Sequence, residues 1–506
     1  MKKRLLALLL AAVMTLAITA CPADPAGDGG TNPPATNDDG TVIDLGNRTQ
    51  IDIFTFTEET KEILDFAMEK AYPDFNERFF LNYILEGDDD AYITKVENGL
   101  ESNSPPHLFV ADVRYARRFA ANRQTANLSD LGVTYNASEL FKYTIDIMTI
   151  GGNVKGLSHQ ATPGSVFYRK SIAEGLGLGD AAAVQQKMST WDGFIDLARD
   201  LKAQGVFAVY ALDEIKFPFL NARDSGWVTE EGYLNIDEAT MKDFFNVSTQ
   251  LYQIGAYAYS GTGQWSGGWW SGMRGQAGEN NDTDVFAYFG CTWFLHYCLK
   301  GNTLPGGGDE YNALIDEGKT DADLVGMGTF GDWNMAPGPA GYFWGGTYWF
   351  GSVAASQNDA IKEGVAMIIE TVATNKEVMK AYNIHTGDFS GIKSVGQELG
   401  QDANFSNPFL AGQNHYETFV VAAETVDASK NITIYDADFD SYFSDSIGVY
   451  FRAIDLGASA DEAYNTAMAT FVNLTRAGLP SILIPDDYAK FADGAIELPP
   501  EEDEDE

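Results

Sequence analysis

The sequence predicts an α/β protein in which mainly parallel sheets carry helices on both faces. Three observations predict it. Strand-like runs alternate with helix-period segments over residues 51–111 and again over 166–211, the rhythm of βαβ units. The run 107–111 reads as a strand buried within its sheet. The chain has 506 residues, 45% of them hydrophobic, enough for two or three domains with cores of their own.

The first element precedes the body. Lys2, Lys3 and Arg4 form a basic start, and residues 5–20 are apolar or small, with only Thr15 and Thr19 bearing hydroxyls. This reads as a secretory signal peptide over 1–20. The run stops at Cys21 and polar Pro/Gly/Asp-rich sequence follows, whereas a membrane-spanning helix needs about 20 apolar residues and usually polar anchors on both sides. Ile18-Thr19-Ala20-Cys21 resembles a bacterial lipobox: a branched residue, two small ones and cysteine. The resemblance implies cleavage before Cys21 and lipidation of its thiol. More than one acyl chain is needed for stable anchoring, because each buried CH₂ contributes only about 0.8 kcal/mol. Residues 21–45 follow as a flexible tether, with almost no large apolar side chain to offset the entropy of ordering.

Within the body, residues 51–56 read as a strand and 58–71 as a helix with apolar Ile63, Phe66, Ala67 and Met68. Tyr72-Pro73 stops that helix. Residues 79–85 read as a strand, 91–99 as a helix and 107–111 as the buried strand. In the second unit a strand over 166–170 runs into a helix, Thr190 caps a helix over 193–202, and 206–211 form the next strand. Ligands of such sheets bind beyond the carboxyl ends of the strands. The loops there carry Glu58, then Asp112, Arg114 and Tyr115, then Asp213, Glu214 and Lys216. Cys291 and Cys298 stand seven residues apart in a helix-like segment, about 10 Å along its axis. That is beyond disulfide reach, so both are expected as packed thiols. An acidic tail closes the chain over 493–506.

Asp and Glu number 73 against 33 Lys and Arg, a formal charge of −40. This argues against a nucleic-acid binder, which neutralises phosphates with basic side chains. It also argues against docking on anionic lipid through a basic patch.

Segments 106–112, 166–170, 190–194, 285–293, 335–339, 374–382 and 459–463, in that order, resemble one family. It is the extracellular solute-binding proteins of carbohydrate ABC transporters, the maltose-binding-protein-like group, and the resemblance covers nearly the whole chain after the signal. Two features depart from it: a Gly- and Asp-rich insertion over 301–331, and Tyr168-Arg169-Lys170 where the family has Tyr-Asn-Lys. The resemblance implies a two-lobe periplasmic-binding-protein-like fold with hinge crossovers. Lobe 1 would comprise 46–156 and 338–386, and lobe 2 would comprise 157–337 and 387–492. It implies a monomeric binding subunit without cofactor, metal or catalytic residue. Such a subunit captures a carbohydrate, an oligosaccharide here, in an interlobe cleft and delivers it to ABC permease transmembrane subunits. Lipid on Cys21 would hold it at the outer face of the bacterial cytoplasmic membrane or in the periplasm.

Seven of the nine tryptophans fall within 265–349: Trp265, Trp269, Trp270, Trp293, Trp333, Trp344 and Trp349. An indole covers the C–H face of a sugar ring, while charged and amide side chains take its hydroxyls. Core packing competes for every such ring. The Gly-flanked segments 264–270 and 343–349 are poor helix formers, so their aromatics are expected on loops. The candidate stacking residues are Trp269, Trp270, Tyr348 and Trp349, with Trp293 and Phe443 placed by the resemblance. The candidate hydroxyl partners are Asp112, Arg114, Tyr115, Glu58, Asp213, Glu214 and Lys216. Glu58, at a helix start, would also interact favourably with the helix dipole.

Asp436, Asp438 and Asp440 open like a calcium loop, but Ser441 stands where Gly is needed and Ile447 where Glu is needed. A glycoside hydrolase and a glycan-binding surface lipoprotein without a transporter remain alternatives. With 73 acidic residues, carboxylate pairs carry no information about the first. The sequence contains no serine-hydrolase elbow, zinc-protease motif or phosphate loop.

Overall fold

The structure is a computed structural model that describes residues 43–428 and 430–499. The signal peptide, Cys21, residues 21–42 of the tether and residues 500–506 of the acidic tail lie outside the described residues.

Ten strands occur among the described residues. They are β1 (Thr49–Thr55), β2 (Phe79–Leu85), β3 (Leu108–Asp112), β4 (Thr149–Ile150), β5 (Asn153–Val154), β6 (Gly156–Ser158), β7 (Ser165–Arg169), β8 (Ala287–Gly290), β9 (Trp333–Ala336) and β10 (Thr347–Gly351). The chain divides into two compact units. Unit 1 takes the chain to Thr162, then Gly308–Asp323 and Gly345–Phe405; unit 2 takes Pro163–Gly307, Leu324–Trp344 and the chain from Ser406.

Unit 1 is built on a five-stranded sheet of order β2-β1-β3-β10-β6. β1 pairs in parallel with β2 and β3, and β10 runs antiparallel between β3 and β6. The first helix, Glu59–Ala71, buries Ile63, Leu64, Ala67 and Met68. Phe66 is half-buried and Leu64 takes the inward position. Tyr72 ends the helix in extended geometry (φ −141°), as a residue before proline must. Asp88 caps the next helix, Asp89–Leu100, accepting the N–H of Ala91.

In unit 2, β7 lies between β8 and β9 and is antiparallel to both. Residues 207–209 extend this sheet. They form parallel bridges from Phe207 to Val285 and from Val209 to Tyr257. The sequence predicts mainly parallel sheets and a regular strand over 206–211; the structure corrects both points. A strand buried on both faces is apolar throughout whichever way its neighbours run, so direction is not written in its pattern. The segment 206–211 pairs with each neighbour over too few residues to form a ladder. Thr190 caps the helix Trp191–Ala203 as expected, its hydroxyl accepting the N–H of Gly193 at 3.1 Å. Ser459 and Glu462 form a capping box on Ala460–Gly478, and two reciprocal bonds satisfy donors that the helix start would otherwise leave unpaired.

The units differ in extent from the expected lobes. Residues 387–405 belong to unit 1, where Gln160 bridges Ser390 and Leu140 bridges Ile392. Residues 308–323, inside the insertion, group with unit 1 as well. Cys291 and Cys298 are buried and form no disulfide. Asp436–Asp455 is a continuous helix, so the calcium-like run is its first turn and not a loop. Among the described residues no helix is long and apolar enough to cross a membrane.

Candidate functional site

Unit 2 gathers the Gly-flanked tryptophans, and Ser266 sets their positions. Its hydroxyl accepts the N–H of Trp269 at 3.2 Å and caps the helix Gly267–Met273. The expectation that these aromatics lie on loops is corrected here. Trp269 and Trp270 lie on this helix and Trp349 lies on β10, whereas Trp265 and Trp344 are on loops. A weak propensity gives way to the burial of Trp269, Gly272 and Met273.

Gly272 is needed for close approach. A Cβ there would stand 2.4 Å from Tyr288 Oη and 3.0 Å from Tyr210 Cδ2, and Tyr288 is fully buried. Gly272→Ala is therefore expected to destabilise unit 2 by about 1–3 kcal/mol through overpacking. The gain in helix propensity, roughly 0.5–1 kcal/mol, does not offset that. Denaturant unfolding checks it; an unchanged midpoint would show that the neighbouring rings yield.

Two carboxylates lie beneath the tryptophan segment. Asp213 accepts the N–H of Gly263 at 2.9 Å and of Gln264 at 3.3 Å. Glu214 accepts the indole N–H of Trp269 at 2.9 Å and the N–H of Phe289 at 3.1 Å. Both side chains are buried. Burial pushes the Asp213 carboxyl up, against the pull of Lys216. Burial pushes Glu214 up to about 8, with its Trp269 hydrogen bond acting the other way and Asp213 adding to the rise.

The Asp213 bonds pin the two residues that precede Trp265, whose backbone is left-handed at φ 71°. A non-glycine residue held there costs on the order of 1–3 kcal/mol. The result is an indole left 40% exposed. Its ring lies within 14° of parallel to half-buried Trp293, at a centroid distance of 5.8 Å. Trp344 meets both edge-on, at 5.9 Å and 4.8 Å. The indole N–H of Trp293 donates to the Trp344 carbonyl at 2.9 Å, and Phe217 stacks on Trp344 at 4.6 Å. Trp270 packs edge-on to Trp265 at 5.8 Å. This is an aromatic cluster in which Trp265 is the most exposed residue.

The other candidate residues of unit 2 lie deeper. Lys216 is buried, donates to Ser444 Oγ at 2.9 Å and pairs with Asp440 at 3.3 Å. Phe443 is enclosed by Phe244, Phe245 and Trp227.

In unit 1, Asp112 caps the helix Val113–Ala121, accepting the N–H of Arg114 at 3.0 Å and its Nε–H at 2.9 Å. Arg114 also pairs with Asp89 at 2.7 Å, and Tyr115 Oη donates to the same carboxylate at 3.3 Å. Glu58 sits half-buried at the start of Glu59–Ala71 with no side-chain capping bond. Tyr348 and Trp349 are buried, and Trp349 donates its indole N–H to His159 Nδ1 at 3.0 Å.

Of the expected residues, the structure brings Trp293, Trp269, Trp270, Asp213 and Glu214 together around one feature. The exposed ring at its centre is Trp265, with Trp344 and Phe217 behind; none of these three was among the chosen candidates. Ser266 was the available signal, because an N-cap there leaves Trp265 outside the helix and sends Trp269 into it.

No family model matches the sequence, and no curated protein matches it. Solved structures do. An extracellular solute-binding protein of family 1 superposes with a TM-score of 0.65 at 18% identity, covering 84% of this chain and 99% of that one. The ABC-transporter-associated binding protein of B. animalis subsp. lactis, solved with beta-1,6-galactobiose, superposes at 0.59 with 18% identity, covering 87% and 100%. The sugar-binding protein MalE of Xanthomonas citri superposes at 0.60 with 16% identity, covering 85% and 98%. The chain shares the α/β fold of these solute-binding proteins.

Proposed function

We propose that this chain, built on the fold of solute-binding proteins, binds a carbohydrate against the Trp265 surface of unit 2 and releases it unaltered to an ABC permease. We further propose that lipid on Cys21 anchors it at the outer face of the cytoplasmic membrane. One observation carries the ligand class. Trp265 is held half-exposed in a strained backbone, with the buried Asp213 carboxylate spent on the two residues before it. A strained, exposed aromatic persists only where the surrounding structure over-determines it, and its flat face matches the C–H face of a pyranose. The neighbour solved with beta-1,6-galactobiose supports the same reading. The geometry favours binding over glycoside hydrolysis. Asp213 and Glu214, the carboxylates beneath the surface, are buried against protein N–H groups, whereas a hydrolase needs two that flank the scissile bond.

Calorimetry against a panel of oligosaccharides, including maltose and beta-1,6-galactobiose, is expected to give saturable binding. Chromatography of the same mixtures should show no new product. Turnover above a buffer blank would move the protein to the hydrolases, and silence across a broad panel would remove carbohydrate as the ligand. Intact-mass measurement of membrane-extracted protein tests the anchor, which fails if the mature chain starts elsewhere than Cys21 or carries an unmodified thiol.

A further inference from the structure

Three side chains of unit 1 converge in its interior. Glu59 opens the helix Glu59–Ala71, His159 follows β6, and Asp388 lies just beyond the helix Lys376–Thr386. One oxygen of each carboxylate and an imidazole nitrogen lie within 4.8 Å of one another. His159 is 1% exposed and Asp388 4%. Backbone bonds stitch the two segments together: Gly391 N–H donates to His159 O at 2.9 Å, and Ala161 N–H donates to Phe389 O at 3.2 Å.

The donors assign the protons. An indole N–H can only donate, and that of Trp349 meets His159 Nδ1 at 3.0 Å. Nδ1 therefore acts as the acceptor, and Nε2 lies 3.5 Å from Glu59 Oε1. The same bond argues against a metal. An ion on Nε2 would leave the imidazole with no N–H, whereas a metal-bound histidine ordinarily donates its other N–H to an acceptor. Asp388 Oδ1 accepts the N–H of Phe389 at 2.8 Å, while Oδ2 is buried and meets no hydrogen-bond partner. An ionised oxygen there, beside a second carboxylate and away from water, is costly. A protonated oxygen can donate.

We propose that Asp388 is a buried proton-binding site, its proton held on Oδ2, with Glu59 and His159 as the other two walls. Burial, and then the charge of Glu59, push the Asp388 carboxyl up to about 7, with His159 and the Phe389 N–H acting the other way. The other titratable groups facing the site are Tyr382, from the helix Lys376–Thr386, and Glu62, on the helix that carries Glu59. Both are raised, chiefly by burial.

The folded protein then keeps a proton up to about pH 7 that an unfolded aspartate, with its ordinary value of 3.8, has already lost. The folded state binds more protons across that window, so this contribution to stability is fully present below it and is lost as pH rises through about 7. Unfolding of wild type and of Asp388→Asn, whose amide mimics the protonated acid, tests this. One linked proton changes an unfolding constant about tenfold per pH unit. The ratio of wild-type to variant constants should rise at about that rate from roughly pH 5 to 7 and then level off. Infrared spectra at acid pH should lose one protonated-carboxyl carbonyl band in the variant. Glu59→Gln removes the facing charge but not the burial, so it should move the levelling-off to lower pH without abolishing it, which decides the matter if Asp388→Asn does not fold. Parallel pH profiles overturn the proposal. So does stoichiometric zinc binding by chelator-treated protein that is lost in Asp388→Asn.

Discussion

Replacing Trp265 by alanine is expected to weaken binding of the best oligosaccharide roughly 10- to 150-fold while leaving the protein folded. The magnitude follows from the area lost. Covering a large apolar side chain contributes about 1.5–3 kcal/mol, and 1.4 kcal/mol is about tenfold in affinity. Folding should survive because the ring is 40% exposed. The left-handed backbone at φ 71° is equally unfavourable for tryptophan and alanine, so the substitution neither relieves nor adds strain. Trp265→Phe should fall between the two, since phenylalanine keeps a smaller flat face. Calorimetry on folded variants provides the measurement. If Trp265→Ala binds as tightly as wild type, the ligand sits elsewhere and the aromatic surface has another purpose.

Trp269→Ala should instead act on stability, by about 3–5 kcal/mol. Trp269 is fully buried, packs against Trp270, Tyr288 and Phe294, and satisfies Glu214. Its removal leaves a cavity and a buried carboxyl oxygen without its donor. The loss should depend on pH in a set direction. Glu214 has its carboxyl raised from an ordinary 4.5 to about 8, so the folded state holds a proton there that the unfolded chain has released. That contribution is complete below about 4.5 and disappears as pH rises through about 8. Because the Trp269 bond lowers this value, Trp269→Ala should fall furthest behind wild type at alkaline pH. Chemical unfolding at several pH values tests both parts. A loss under 1 kcal/mol, or one that does not change with pH, would mean that the site relaxes and Glu214 finds another donor.

Much of the fold was legible because local chemistry dictates it. Pro73 ends the first helix by steric exclusion, Thr190 and Ser459 cap their helices by satisfying orphan N–H groups, and the apolar spacing of Ile63, Ala67 and Met68 requires a buried helical face. β2 runs over the residues read as a strand, 79–85. Each of these signals acts within a few residues of chain, so composition and spacing suffice to read it.

The candidate site was legible in kind and not in detail. The concentration of tryptophan between 265 and 349 marked the region, yet the ring left in solvent was read only from the structure. Trp265, Trp269 and Trp349 are chemically alike, and their fates differ through partners far away in the chain. Asp213 holds the backbone before Trp265 from 50 residues away, Glu214 holds Trp269 from 55, and His159 holds Trp349 from 190. Strand direction in unit 2 and the membership of residues 387–405 are long-range in the same way. Side-chain spacing reports which face of an element is apolar, and it is silent on which distant segment covers that face. The burial of a residue, the direction of its neighbours and the pKa of a carboxyl are properties of that covering, and the chain acquires them only on folding.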